Sequence, residues 1–359
     1  MKQEVKQEII TPLWEELLKK SIVNEEQLYK ISKINIKKED IKQVIKNYPM
    51  SINPYYLSLI KNENDPIWKQ CIPDIKEIED EFGMEDPLNE EENSPVYGLT
   101  HRYPDRVLLL ISNRCAAYCR FCTRKRKVGI AYKTMTRENI LKGIEYIKQH
   151  KEIRDVILSG GDPLLLKDSD IEFVLKKIRE IKHIEIIRIG TRVPCTLPQR
   201  ITKELCIMLK KYHPLYINTH FNHPDEITEE SKRACELLAD SGIPLGNQTV
   251  LLKGVNDDPK IMRRLMQNLL TIRVKPYYIY QADLTKGTNH LRTKVSEGIK
   301  IIKSLRGHTS GMCVPHFIID APGGGGKIPI LPDYLQSYDG KTAKLKNYKD
   351  LDYEYVDPY

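Results

Sequence analysis

Cys115, Cys119 and Cys122 fall in one short run, Cys115-Ala116-Ala117-Tyr118-Cys119-Arg120-Phe121-Cys122. A Cys-x3-Cys-x2-Cys spacing supplies three thiolates where a [4Fe–4S] cluster has four irons. No fourth cysteine stands in the run, so one iron is left open to a ligand that is not protein. The competing readings are a zinc knuckle and three buried free thiols. Structural zinc normally takes four protein ligands, often as two cysteine pairs, and no second pair occurs elsewhere in the chain.

A second run capable of chemistry is Asp320-Ala321-Pro322-Gly323-Gly324-Gly325-Gly326-Lys327. Consecutive glycines let the backbone take positive φ and approach a ligand closely, and successive N–H groups can cradle an anion. Lys327 can act as a point charge or as a Schiff-base nucleophile. A Walker A loop is excluded, because Ala321 stands where glycine is needed and Ile328 follows the lysine in place of Ser or Thr. The bland alternative is a glycine hinge with a solvated lysine.

Arg102 and Arg106 offer guanidinium forks suited to a phosphate, unless structural ion pairs claim them. The net charge of +8 raises nucleic acid as a partner. The lysines, however, are spread along the chain and interrupted by acids, including the stretch Glu77–Glu92. The one dense basic run, Arg124-Lys125-Arg126-Lys127, directly follows the third cysteine. That position favours an anionic small molecule or cofactor over nucleic acid. Arg124 is its functional candidate, with Lys125 and Lys127 on a solvated face.

These residues need a frame. At 359 residues with 40% hydrophobic side chains, the chain can hold one large barrel plus an accessory segment. Residues 1–95 read as a helical accessory region, with Trp14, Leu17, Leu18 and Ile22 at helical spacing and shorter helices at Glu39–Ile45 and Pro54–Ile60. An acidic, proline-containing connection from Met84 to Pro95 marks a boundary. Residues 96–331 then alternate strands and helices. Strands are expected at Val107–Ile111, Asp155–Leu158, Ile184–Ile189, Leu215–Thr219, Gly246–Leu251 and Pro276–Tyr280, with a last apolar stretch at Val314–Ile319. Helices are expected from Thr136 and near 168–181, 200–211, 226–240 and 257–270. Such βα repetition implies parallel strands with crossovers, and the chemistry then belongs on loops at the strands' C-terminal ends. Residues 332–359, rich in Tyr and Lys, read as a surface-hugging tail.

The other cysteines, Cys71, Cys195, Cys206, Cys235 and Cys313, are scattered singly, the pattern of reduced thiols rather than a disulfide framework. The start Met1-Lys2-Gln3-Glu4 is charged, and no apolar run approaches the ~20 residues of a membrane span. A cytoplasmic protein without a membrane partner is expected.

The cysteine run, with an aromatic at Phe121, resembles the radical S-adenosylmethionine (SAM) superfamily. Together with Pro-Gly-Gly-Gly-Gly-Lys downstream, it resembles the lysine 2,3-aminomutase family. The likeness runs from about Asp86 to Lys327 and includes Gly98–Arg106, Ser159–Asp162, Asn218–Pro224, Gly246–Thr249 and Pro276–Gln281. It implies an α/β fold, a partial (β/α)6 TIM-like barrel of the radical SAM type with the N-terminal helical region attached. It also implies a [4Fe–4S] cluster on Cys115, Cys119 and Cys122, SAM on the open iron, and pyridoxal 5′-phosphate (PLP) on Lys327. Arg102 and Arg106 would take the PLP phosphate and Tyr103 would lie against the pyridine. Ser159, Gly160, Gly161 and Asp162 would present backbone groups to the SAM ammonium, with Asp162 in place of the superfamily's usual Glu. His220 and Gln248 would contact SAM or be satisfied core polar residues.

The substrate implied is a free amino acid, L-lysine, converted to β-lysine by 2,3-migration of its amino group. Arg124 would hold the α-carboxylate, and Asp283 with Asp320 the side-chain ammonium. Asp86 matches a polar family position or is a surface aspartate. The same chemistry on arginine or glutamate is the alternative, and a radical SAM enzyme that modifies macromolecules is another. An external electron donor such as flavodoxin or ferredoxin and a homo-oligomer are expected. Longer family members bind zinc between subunits through C-terminal cysteines; here none follows Cys313, and Asp258 stands where another ligand would be. Intersubunit zinc is therefore not expected.

Overall fold

The computed structural model describes residues 12–31, 37–130 and 134–358, so the charged start Met1–Glu4 lies outside the described residues. The chain opens with helices α1 (Leu13–Lys19), α2 (Glu25–Ile31), α3 (Lys38–Asn47), α4 (Pro54–Ser58) and α5 (Trp68–Cys71). Asn53 starts α4: its side chain accepts the Tyr56 N–H at 3.1 Å, and Pro54 fills the first helical position. The Asn53 amide also donates to the carbonyls of Ala116 at 2.9 Å and Thr196 at 2.8 Å. Ile22, Leu28, Ile41, Ile52, Tyr56 and Trp68 of this region are buried in one continuous core with the strands and helices that follow.

Those strands form a nine-stranded sheet in sequence order. β1 (Leu99–Tyr103) pairs antiparallel with β2 (Arg106–Ser112). β2, β3 (Asp155–Gly160), β4 (Ile186–Gly190), β5 (Leu215–Thr219), β6 (Leu245–Leu251), β7 (Lys275–Gln281) and β8 (His316–Ala321) are parallel neighbours. The antiparallel β9 (Gly326–Pro329) closes the row. Six crossovers carry α6 (Arg137–Gln149), α7 (Asp168–Arg179), α8 (Val193–Thr196) with α9 (Lys203–Lys210), α10 (Glu229–Asp240), α11 (Pro259–Thr271) and α12 (Val295–Leu305). The six βα units expected from the sequence are thus present, with a seventh parallel strand and an antiparallel strand on each edge. Neither edge strand is anticipated by the sequence reading, nor is α12, although Ile301, Ile302 and Leu305 give it a buried face.

Period-two alternation divides each strand. Val156 and Leu158 of β3, Ile187 and Ile189 of β4, and Leu215 and Ile217 of β5 are buried with the helices in the core. The alternate residues Ser159, Arg188, Asn218, Gln248 and Tyr280 face one central cavity. The inner face is therefore mixed, with these polar side chains set among Leu108, Ile157, Ile186 and Val250.

The tail from 332, of which the structure describes residues up to 358, carries its own antiparallel sheet of β10 (Leu335–Tyr338), β11 (Thr342–Lys346) and β12 (Asp352–Val356), elements the sequence reading did not anticipate. Cys71, Cys195, Cys206, Cys235 and Cys313 are buried free thiols, as expected. Among the described residues no helix is long and apolar enough to cross a membrane.

Candidate active site

A cavity of about 770 Å³ opens within the barrel, and Cys115, Cys119 and Cys122 share its wall with Lys327. Every other candidate also lines it: Arg102, Tyr103, Arg106, Arg124, Ser159, Gly160, Gly161, Asp162, His220, Gln248, Asp283 and Asp320.

The cysteine loop follows β2 and is pinned from outside the barrel. Tyr118 N–H donates to the Ser51 carbonyl and Arg120 N–H to the Gln70 carbonyl, both at 2.8 Å. The Arg120 guanidinium, 2% exposed, is bonded to the Glu77 carboxylate and the carbonyls of Tyr48 and Pro49. The accessory region thus holds the loop's outer side while the thiols face the cavity. Burial pushes the Cys115 thiol well up and the Cys122 thiol up to about 11. A bound cation is what would keep such thiols deprotonated. Among the described residues no three His, Cys, Asp or Glu side chains converge on a single-ion site. Three thiols on the wall of one cavity could each take a separate iron of a cluster.

Arg192, which the sequence reading did not single out, reaches this loop from the end of β4. Its Nη1 lies 2.7 Å from Cys119 Sγ, and its Nη2 donates to Gln70, Glu226 and Tyr56. An arginine just beyond the C-terminal end of a barrel strand was the available signal.

At the end of β3, Gly160 has φ +130°, and a Cβ on it would lie 2.0 Å from the Ser112 carbonyl oxygen. The N–H groups of Gly161 and Asp162 bond the carbonyls of Ser112 and Arg114, both at 2.7 Å. Those donors are spent on β2, so this turn can offer an ammonium only carbonyl oxygens. The Asp162 carboxylate is likewise occupied: it accepts from Thr191 Oγ1 at 2.6 Å and from the Arg192 and Leu164 N–H groups. It ties the ends of β3 and β4 together. His220, half-buried beside Phe121, bonds Asn222 at 2.9 Å. Burial and the Arg192 charge lower it to about 3, so the ring is neutral.

The glycine tract is the turn of the β8–β9 hairpin, where Asp320 pairs with Lys327. Gly323 and Gly324 have φ of 71° and 85°, which side chains disfavour. Lys327 Nζ lies 2.8 Å from Asp320 Oδ2, and its N–H donates to Tyr103 Oη at 3.0 Å. Arg102 Nη1 meets Asp320 Oδ1 at 3.3 Å. Tyr103 carries the Arg106 guanidinium on its ring, 3.8 Å from the centroid. One ring face expected for a pyridine is thus already covered, and Tyr103 also positions the Lys327 backbone. Arg102 Nε, Thr219 Oγ1 and Gln281 Oε1 are buried without partners, and all three residues line the cavity. Orphaned polar atoms around a cradle with a free guanidinium edge fit a phosphorylated, polar cofactor.

The basic run is neutralised by the acidic stretch before it. Arg124 grips Glu90 through Nε at 3.2 Å and Nη2 at 2.6 Å, and its Nη1 lies 3.5 Å from Ser159 Oγ. Lys125 meets Glu77 at 2.6 Å, Arg126 meets Asp86 at 2.8 Å, and Lys127 lies between Glu90 and Glu91. Lys125 is buried, not solvated as expected, because its ammonium finds the Glu77 carboxylate, the Gly287 carbonyl at 2.9 Å and the Tyr48 ring inside. Asp86 is an ion-pair partner. Asp283 accepts from Thr123 Oγ1 at 2.8 Å. Burial raises it to about 6, against the Thr123 hydrogen bond and with the Asp320 charge adding to the rise. Asp320 is paired with Lys327 and Arg102, so Asp283 is the carboxylate that faces this space with no salt bridge among the described residues. Asp258 caps α11, accepting from Lys260 N–H at 2.6 Å.

Comparison with known proteins follows the same lines. Residues 109–266 match the Radical SAM superfamily model, and residues 302–359 the model described as Lysine-2,3-aminomutase. The chain is 58% identical to an L-lysine 2,3-aminomutase of Methanococcus maripaludis, across 89% of this chain and 75% of that protein. It is 53% identical to the L-lysine 2,3-aminomutase of Clostridium subterminale, across 96% and 84%. It is 50% identical to a glutamate 2,3-aminomutase of Clostridioides difficile, across 88% and 78%. With its cysteine loop, glycine hairpin and barrel, the chain belongs to the lysine 2,3-aminomutase family of radical SAM enzymes.

Proposed function

We propose that the protein is an L-lysine 2,3-aminomutase, an isomerase that moves the amino group of L-lysine from C2 to C3. The convergence of Asp283 and Asp320 with Lys327 in one cavity is the observation that most supports it. When bound, the [4Fe–4S] cluster with SAM supplies a carbon radical that takes and returns a hydrogen, and PLP carries the migrating nitrogen. Cys115, Cys119 and Cys122 would hold the cluster and Lys327 would hold PLP, with Arg102 and Arg106 at its phosphate. Ser159, the Gly160–Gly161 turn, His220 and Gln248 line the space left for SAM. Asp162 supports them through Arg192 and Thr191.

For the substrate, Arg124 offers a guanidinium to the α-carboxylate, while Asp283 and Asp320 offer charge to the ε-ammonium. Two carboxylates there repel a glutamate side chain. The inner wall orients the ligands and excludes bulk water. We further propose a reduced flavodoxin or ferredoxin as electron donor, a cytoplasmic location and a homo-oligomer. The proposed division is 1–95, 96–331 and 332–359.

Anaerobic incubation of the reconstituted protein with SAM, PLP and lysine, arginine or glutamate in turn, followed by amino-acid analysis, tests the reading. β-Lysine should be the main product. Turnover of glutamate but not lysine would overturn it.

A further inference from the structure

Glu90 lies in the acidic connection between the helical region and β1, yet its side chain lines the central cavity and is only 4% exposed. The connection is fastened at several points around the mouth of the barrel. Met84 N–H bonds the Leu284 carbonyl at 2.7 Å, and Gly323 N–H bonds the Pro87 carbonyl at 2.9 Å. Arg102 donates to the Leu88 carbonyl, and His101 N–H bonds the Asn93 carbonyl at 2.8 Å. Glu90 is thus presented to the cavity by backbone fixed on both sides. Its two oxygens take the Nε and Nη2 edge of Arg124, which leaves Nη1, beside Ser159 Oγ, as the edge not engaged by Glu90.

We infer that Glu90 is a positioning and specificity residue: it fixes Arg124 by one edge, and its charge restricts the pocket to amino acids that bring one carboxylate and a distant cation. The inference rests on the proposed role of Arg124 and deepens it. Free of Glu90, Arg124 would present a full positive charge and two edges to any anion. Held by Glu90, the pair is close to neutral, and one N–H edge is left for a single carboxylate. Glu90 spends its charge on Arg124 and Lys127, so its effect on the pocket is exerted through the clamp. The single N–H edge left on Arg124 suits the one α-carboxylate of lysine, whereas a second carboxylate finds no further edge of that guanidinium and meets Asp283 on the same cavity.

Glu90→Gln removes the charge while retaining one acceptor, and Glu90→Asp keeps the charge on a shorter reach. Kinetics with lysine and competition by glutamate are measured on enzyme with verified iron and PLP content. In Glu90→Gln, KM for lysine should rise about tenfold with kcat changing far less, and inhibition by glutamate should strengthen about tenfold. Glu90→Asp should raise KM for lysine while keeping glutamate excluded, which tests the idea even if the Gln variant does not fold. Wild-type KM and unchanged glutamate exclusion in a folded Glu90 variant would overturn the inference. Arg124→Gln separates the underlying reading: an unchanged lysine KM there would remove the carboxylate role of Arg124 itself.

Discussion

Lys327 and Asp320 face each other across the β8–β9 hairpin, with the ammonium 2.8 Å from the carboxylate. Asp320 therefore cannot serve the substrate ammonium while Lys327 keeps its own charge against it. Its release depends on Lys327 being engaged elsewhere. Borohydride reduction of the PLP-loaded protein should fix the cofactor on the peptide that contains Lys327. Lys327→Ala should abolish that linkage while iron content stays normal. Labelling of another lysine would refute the assignment.

Asp283 should impose a pH dependence. Its carboxyl is raised to about 6 chiefly by burial, so it is charged above that pH and neutral below. kcat/KM reports groups of the free enzyme. It should therefore fall about tenfold per unit as pH drops below about 6. Asp283→Asn and Asp320→Asn should each lower kcat/KM for lysine by about ten- to a hundredfold, and the Asp283 variant should lose the acid limb. Near-wild-type kinetics in both variants would show that these carboxylates do not read the substrate.

The cysteine loop and Arg192 make separable predictions. Cys119→Ala should fold but carry little cluster absorbance and cleave no SAM. Arg192→Gln should retain iron while shifting the cluster's reduction potential to more negative values, because hydrogen bonds to the sulfurs and nearby positive charge favour the reduced form. Potentiometric titration followed by electron paramagnetic resonance reads this shift. An unchanged potential at full iron content would mean that Arg192 acts only in packing.

Asn53 should matter well beyond its own helix. Asn53→Ala removes the α4 cap and strands the carbonyls of Ala116 and Thr196 in the interior. The cost should be on the order of 3 kcal/mol, measured by denaturant unfolding of the protein before cofactor loading. A loss below about 0.5 kcal/mol, the range of ordinary surface substitutions, would show that water replaces the amide.

Much of the barrel was legible because its outward residues are apolar at period two and its helices carry amphipathic stripes. Cys115, Cys119, Cys122 and Lys327 were legible as candidates because their spacing is local. β1 was missed because Thr100, His101 and Arg102 read as polar loop, although an edge strand buries little. The tail's sheet was missed because β10 and β12 bury almost nothing, leaving no period for a strand reading. Glu90 and Arg192 act on Arg124 and Cys119 from 34 and 73 residues away, distances that no local motif records. Asp162 was legible as a residue of the site but not as a saturated cap, since that depends on Thr191 and Arg192 arriving from the next strand.

No backbone rung joins β1 to β9 among the described residues. The two edges of the cylinder are latched by Arg102 on Asp320 and by Tyr103 on Lys327. Tyr103 holds the Lys327 backbone N–H, whereas Arg102 and Asp320 are also among the side chains proposed to hold cofactor and substrate. A cofactor held as proposed on Lys327 and Arg102 would take both cations from Asp320 and so loosen one of the two contacts across this seam, leaving the Tyr103 contact in place. Hydrogen exchange along β1 and β9 should respond to the cofactor more than exchange in the strands opposite.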